Sequence, residues 1–236
     1  MNSVAATPHA HFAGAPLPFT RLRAAVDDLY PRLLEAILEQ RITPASRFTE
    51  DSLQAMFSVG RADVRRVLTQ LSHEQIVVLR ANHRPRVAAP DRDLIRQTLH
   101  ARRLAENTLV RLACQSPQPD DLECLRTLIE RGKRAIEQDR RGAAIRLSGE
   151  FHLQLARMAG NVPLTHFLRS LVPLTSLAIA RNQCSTRSCC ASQEHLALVE
   201  AVESSRVAEA MMLMNQHLDQ LEQTLLGSDL GQYVAG

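Results

Sequence analysis

The chain has 236 residues, 45% hydrophobic and 22% charged, enough for one large domain or two small ones with real cores. Aromatic residues make up only 3% and tryptophan is absent, so the interior must come from Leu, Ala, Val, Ile and Met, which favours packed helices over a sandwich or barrel. The net charge of +3 singles out no partner, no run of about 18 apolar residues suggests a membrane span, and five cysteines make no even disulfide framework, so a cytoplasmic protein with reduced thiols is expected.

Residues 1–20, rich in Ala, Pro and His, show no sustained period and read as a flexible N-terminal arm. From Asp27, the residues Leu29, Leu33, Leu34, Ile37 and Leu38 recur at helical spacing until "ITPAS" stops them. Thr49 reads as the N-cap of a short helix "EDSLQAMFS", Ser58-Val59-Gly60 as a turn, and Val64, Val67, Leu68 and Leu71 as the apolar stripe of a third helix. Ile76 to Leu79 is a short β-branched run, with a return strand at Arg86-Val87 around the turn Asn82-His83-Arg84-Pro85. Three short helices and a hairpin make a winged helix-turn-helix over residues 21–90.

The same stretch carries the charge. Residues 41–90 hold eight arginines against four acids, a net +4, while the rest of the chain sums to −1. A basic segment on a near-neutral remainder is the footprint of a nucleic-acid-binding module. Arg61 and Arg65, at i and i+4, share one face of the third helix and are the candidate base readers, because arginine can donate two hydrogen bonds to guanine in the major groove. Gly60 would expose backbone N–H groups to phosphate, Arg66, Arg84 and Arg86 suit phosphate or minor groove, and Arg47 is a further phosphate candidate. The alternative is an ordinary solvated helix face, with the arginines paired to Asp63 or nearby acids.

After Pro90 the pattern changes to long helices near residues 93–114, 120–139, 142–159, 162–181, 191–204 and 206–226, bounded by Gly, Pro, Asn or Ser. The expected fold is therefore mainly α, a winged helix-turn-helix followed by a bundle of about six helices over residues 91–229. His152, His195 and His217 lie on three different helices of that bundle beside apolar stripes. They could be hydrogen-bonded core residues, or they could converge on a divalent metal such as zinc or nickel. Asn161 after Gly160 reads as a helix cap. Arg102 could hold an acidic effector bidentately or simply pair with Glu106 at i+4. Cys184, Cys189 and Cys190, in "RNQCSTRSCCASQ", are either a thiol sensor or plain loop thiols. No nucleophile elbow, HExxH, Walker loop or pair of catalytic carboxylates is present, so an enzyme is not expected.

The stretch "ILEQRITPASRFTEDSLQAMFSVGRADVRRVLTQLSHEQIVVLRANHRPRV" resembles the DNA-binding domain of GntR-family bacterial transcription regulators. That family's pattern has Pro-Gly after the first helix, Val-Ser-Arg-x-x-Val-Arg-Glu-Ala-Leu on the recognition helix, and a Gly-tipped wing. The remainder resembles the all-helical FCD effector domain of its FadR branch, in Arg102 and Glu106, "FHLQLARMAGN", "EHLALVEAV" and "NQHL". The resemblance implies a homodimer on a near-palindromic double-stranded DNA operator, a small carboxylate effector, repression relieved by that effector, and an Asp-His-His-His metal site. Ser148 stands where that pattern has its Asp, leaving three imidazoles and room for water or an effector carboxylate. Ala45, Gly60, Arg66 and Arg84 depart from the common Gly, Ser, Glu and Gly, which implies an operator unlike the family's commonest sites. A helical part that only dimerises and senses nothing is the competing reading.

Overall fold

A computed structural model describes residues 18–182 and 192–227, with side chains from residue 28 onward. Most of the expected arm and all of Cys184, Cys189 and Cys190 lie outside the described residues. The first helix, α1, runs Pro18–Leu38 and so begins inside the stretch expected as an arm. Proline is tolerated at a helix start because its missing N–H has no partner there anyway. Then come α2 (Glu50–Phe57), α3 (Arg61–His73), β1 (Val77–Val78) and β2 (Arg86–Val87). The two strands pair antiparallel, Val77 with Val87 and Val78 with Arg86, as a short wing. Ile76 stays outside the ladder, although its carbonyl accepts from Ala88 N–H at 2.8 Å.

The bundle comprises α4 (Arg92–Ala113), α5 (Pro119–Glu137), α6 (Arg141–Met158), α7 (Val162–Arg181), α8 (Ser192–Glu203) and α9 (Val207–Leu226). Asp91 caps α4 through the Leu94 N–H at 2.8 Å, and Asn161 caps α7 through the Leu164 N–H at 3.1 Å. Helix α7 is long and apolar enough to cross a membrane by length and composition, but more than half of it is buried, against α4 and α6. Arg141 ties the α6 start to the α7 end, donating to the carbonyls of Ile179, Ala180 and Asn182.

Helix α1 belongs to both halves. It packs on α3 and also on α6 and α7, and one hydrophobic cluster runs from Leu29, Leu33, Leu53 and Leu71 to Ala143, Leu147, Leu177 and Leu221. Gly142 lets α6 approach, since a Cβ there would stand 2.8 Å from the Glu35 carbonyl oxygen. Arg146 on α6 completes the joint with an ion pair to Glu35 at 2.8 Å. A second cluster, around Phe151, Val199, Val202 and Met214, fills the far end of the bundle where the three histidines lie.

Candidate functional site

The basic face is built by a capping box. Thr49 Oγ1 accepts the Ser52 N–H at 3.1 Å, and Ser52 Oγ accepts the Thr49 N–H at 2.8 Å, which fixes where α2 begins. Ser58 ends α2 in the left-handed region (φ 56°), and Gly60, with extended backbone, opens α3. That turn aims the buried stripe of α3, Val64, Val67, Leu68 and Leu71, into the core. Arg61, Arg65 and Arg66 are left on the outer face.

Arg61 and Arg65 pair not with Asp63 but with Glu50 at the start of α2. Both Nε groups donate to the same oxygen, Glu50 Oε2, at 3.0 and 2.8 Å. Desolvation raises the Glu50 pKa, but the hydrogen bonds and charges of the two arginines outweigh it and hold the carboxyl below its usual range. The terminal nitrogens of both guanidinium groups make no hydrogen bond among the described residues, so their outward edges stay available. Arg47, Arg66, Arg84 and Arg86 are exposed and make no ion pair among the described residues.

In the bundle, His152 of α6, His195 of α8 and His217 of α9 meet. Their candidate ligand atoms all lie within 4.8 Å of one another, and all three side chains are buried. Carboxylates orient two of the rings, Glu106 Oε2 at 2.6 Å from His152 Nδ1 and Glu194 Oε2 at 2.7 Å from His217 Nδ1. Each therefore turns its Nε2 away from its carboxylate. His195 stacks on Phe151 at 4.0 Å between centroids, and its Nε2 is buried with no hydrogen-bond partner among the described residues. Burial drives the His152 pKa down to about 4 despite Glu106, and drives that of His195 well below its ordinary value. The imidazoles of His152 and His195 are thus neutral near pH 7, as metal ligands must be. Three imidazoles brought together in this way, with two carboxylates behind them, could hold a metal ion.

Arg102 makes the pair with Glu106 that its sequence position allowed, and a second contact that spacing did not announce. Its Nε donates to Glu106 Oε1 at 2.7 Å and its Nη1 to Thr175 Oγ1 at 2.7 Å, while Nη2 is buried without a partner among the described residues. Burial raises the Glu106 pKa, but the charges of Arg102 and His152 outweigh it and hold the carboxyl down to about 2. Arg102, Ser148, His152 and His217 border one narrow space of about 10 Å³, close to the room a single water needs. Glu150, by contrast, turns away and pairs with Arg146.

Three carboxylates were not singled out as site residues by the sequence. Glu106 was legible only as a partner of Arg102. Glu194 supports His217, 23 positions away, although it adjoins His195. Glu50 lies eleven positions before Arg61. The available signal was an acid within a histidine-bearing or arginine-facing helix, which spacing alone does not distinguish from surface charge.

Two family descriptions match the chain: "Bacterial regulatory proteins, gntR family" over residues 25–87, and "FCD domain" over residues 97–220. The HTH-type transcriptional repressor NanR of Escherichia coli (strain K12) is 27% identical over 200 residues, 75% of this chain and 74% of that protein. The protein of the same name from Cronobacter sakazakii is 28% identical over 199 residues, 72% of this chain and 73% of that one. Among solved structures, E. coli McbR/YncC superposes with a TM-score of 0.68 at 16% identity, covering 84% of this chain and 93% of that one. A putative GntR transcriptional regulator from Rhodococcus sp. RHA1 reaches 0.69 at 19% identity, covering 89% and 99%. These two share the fold. With a winged helix-turn-helix matched over residues 25–87 and an FCD domain over more than half its length, the chain belongs to the GntR family of bacterial regulatory proteins, in the FadR-type branch, and is a DNA-binding transcription regulator rather than an enzyme.

Proposed function

We propose that the protein is a homodimeric repressor acting in the cytoplasm and released from its operator by a small carboxylate bound in the FCD domain. Residues 21–90 hold the DNA and residues 91–229 bind the effector and dimerise. Arg61 and Arg65 read guanines with their terminal nitrogens, while Glu50 holds both Nε groups and so fixes the direction of the forks. Gly60, Arg47, Arg66, Arg84 and Arg86 set the register on phosphate or minor groove.

The observation that carries the effector reading is the convergence of three buried imidazoles beside the Nη2 of Arg102, which has no partner among the described residues. A divalent metal bound there supplies a Lewis-acidic centre for an oxygen ligand. His152, His195 and His217 would hold it, and Ser148, which brings no charge, leaves a position for an effector carboxylate. Glu106 orients His152 and at the same time presents Arg102, whose free nitrogen can donate to the second carboxylate oxygen. Effector binding shifts the DNA-binding ends only by its differential affinity for the two arrangements.

The test is DNA binding to an operator selected from random sequence, measured by fluorescence anisotropy with zinc, with nickel and after chelation, against a panel of small carboxylates. The reading expects metal-dependent release by at least one acid. Operator affinity that no acid changes in either metal state would mean a helical part that dimerises without sensing.

A further inference from the structure

The inner space at Arg102 is too small for an organic acid, yet a far larger space lies directly outside it. A cleft of about 280 Å³ opens between the DNA-binding end and the bundle, bordered by Tyr30, Glu74, Arg146, Glu150, Arg157 and Arg169. That volume is just below the usual range of small-molecule pockets, roughly 300–1,000 Å³. Gly149, Val172 and Ser176 border both the cleft and the inner space. The partition consists of these side chains and is closely packed: a Cβ on Gly149 would meet Val172 Cγ1 at 3.0 Å and Ser176 Oγ at 3.2 Å.

The cleft has a cationic end and an apolar wall. Arg146 is committed to Glu35 and Glu150, but Arg169 makes no hydrogen bond or ion pair among the described residues. Arg157 donates to the amide oxygen of Gln154 and makes no ion pair among the described residues. Leu34, Leu128, Leu153 and Pro173 supply the apolar lining. Two prolines weaken the neighbouring helices where movement would be needed. Pro173 lies inside α7 beside the partition and cannot donate to the Arg169 carbonyl, and Pro31 lies inside α1 next to Tyr30.

We infer that the inner space and the cleft are two halves of one elongated site for an organic acid with a carboxylate at each end and an apolar spacer between. The inner carboxylate meets Arg102, Ser148 and the histidines, a half that rests on the effector reading above. The outer carboxylate meets Arg157 and Arg169, and the side chains of Val172 and Ser176 part to let the spacer through. The outer end is where the signal arises. Tyr30 Oη donates to Glu74 Oε2 at 2.6 Å, joining α1 to the C-terminal end of α3, and Arg169 borders the same cleft, where its charge acts on that carboxylate. A ligand carboxylate that takes over Arg169 leaves Glu74 without its cationic neighbour, so binding changes the support of the DNA-reading helix.

The experiment uses the full chain, zinc-loaded and chelator-treated. α,ω-Dicarboxylates of four to nine carbons are compared with monocarboxylates of equal length, by melting temperature and by calorimetric Kd. Zinc affinity is measured separately. The inference expects one dicarboxylate length to bind about tenfold or more tighter than its monocarboxylate. The exposed double variant Arg157→Ala/Arg169→Ala should erase that preference and keep wild-type zinc affinity. Equal affinity for mono- and dicarboxylates, or a preference that survives in the double variant, overturns the elongated site and leaves the metal reading intact. If wild type binds no zinc, the metal reading fails instead. An Arg157- and Arg169-dependent dicarboxylate shift in that sample still supports the outer half, and no shift overturns both.

Discussion

Glu106 Oε2 stands 2.6 Å from His152 Nδ1 in a core where the two side chains are 2% and 3% exposed, while the other Glu106 oxygen holds Arg102. One carboxylate thus orients a candidate metal ligand and neutralises a buried guanidinium. Removing it strands both. Glu106→Ala should cost about 3–5 kcal/mol of stability, the range for breaking a buried charge pair from one side. Glu106→Gln should fold better yet lower metal affinity about 10–100-fold, as loss of an outer-shell partner does. Urea unfolding and metal titration of the two variants check this.

Metal should stabilise the fold through its three histidines. Zinc at 100 times its Kd adds about 2.7 kcal/mol. For a chain of this size that raises Tm by roughly 5–10 °C. His217→Ala should lose the zinc-dependent rise. An unchanged zinc response in that variant would place the ion elsewhere.

At the DNA-reading face, Glu50→Gln should reduce discrimination more than affinity. The neutral amide oxygen holds the two arginines less firmly, while loss of a negative charge improves attraction to phosphate. The expected result is guanine-to-adenine discrimination reduced severalfold at two operator positions, with non-specific binding equal or tighter. Competition anisotropy with operator variants measures both. Undiminished discrimination would sink the role given to Glu50.

Glu74 should give the folded state a pH-dependent weakness. Burial raises its pKa, against the hydrogen bonds from Tyr30 and Gln70 and the charge of Arg169; Arg146 and Glu150 border the same cleft. The unfolded carboxyl loses its proton near pH 4.5 and the folded one at higher pH. Between those values the folded state binds more protons, so this contribution is full below about pH 4.5 and is lost as pH rises through the folded pKa. Tyr30, pushed upward by burial and Glu74, stays protonated throughout. Glu74→Gln should therefore flatten the stability curve on that flank, as chemical unfolding from pH 4 to 8 would show.

Gly142→Ala tests the joint between the halves. Its methyl would stand 2.5 Å from Glu39 Cγ, which can move, and 2.8 Å from the Glu35 carbonyl, which cannot without bending α1. A loss of about 1–3 kcal/mol is expected from overpacking, read as a lower urea midpoint.

Much of this was legible because it is local. The Thr49 cap, the Ser58-Val59-Gly60 turn, the α3 stripe and the Asn161 cap depend on residues within four positions, and the three histidines announced themselves by lying on apolar faces of separate helices. What could not be read depends on tertiary approach. Glu194 adjoins one histidine in sequence but serves another, and Glu50 acts on arginines of the next helix only because Ser58 turns the chain. The cleft was invisible for the same reason, since Tyr30 lies on α1, Glu74 just past the end of α3 and Arg169 on α7. The early start of α1 carries no such local signal, because residues 18–27 lack the clear apolar period that begins at Leu29.

The sharing of α1 bears on how far this regulator is modular. A fragment ending at Pro90 would keep the reading helix and the wing but bare the flank of α1 that α6 and α7 cover. Such a fragment is not a free-standing reader that could be grafted onto another sensor. A working chimera has to carry α6 and α7 along with α1, so in this chain the exchangeable unit is larger than the DNA-binding motif.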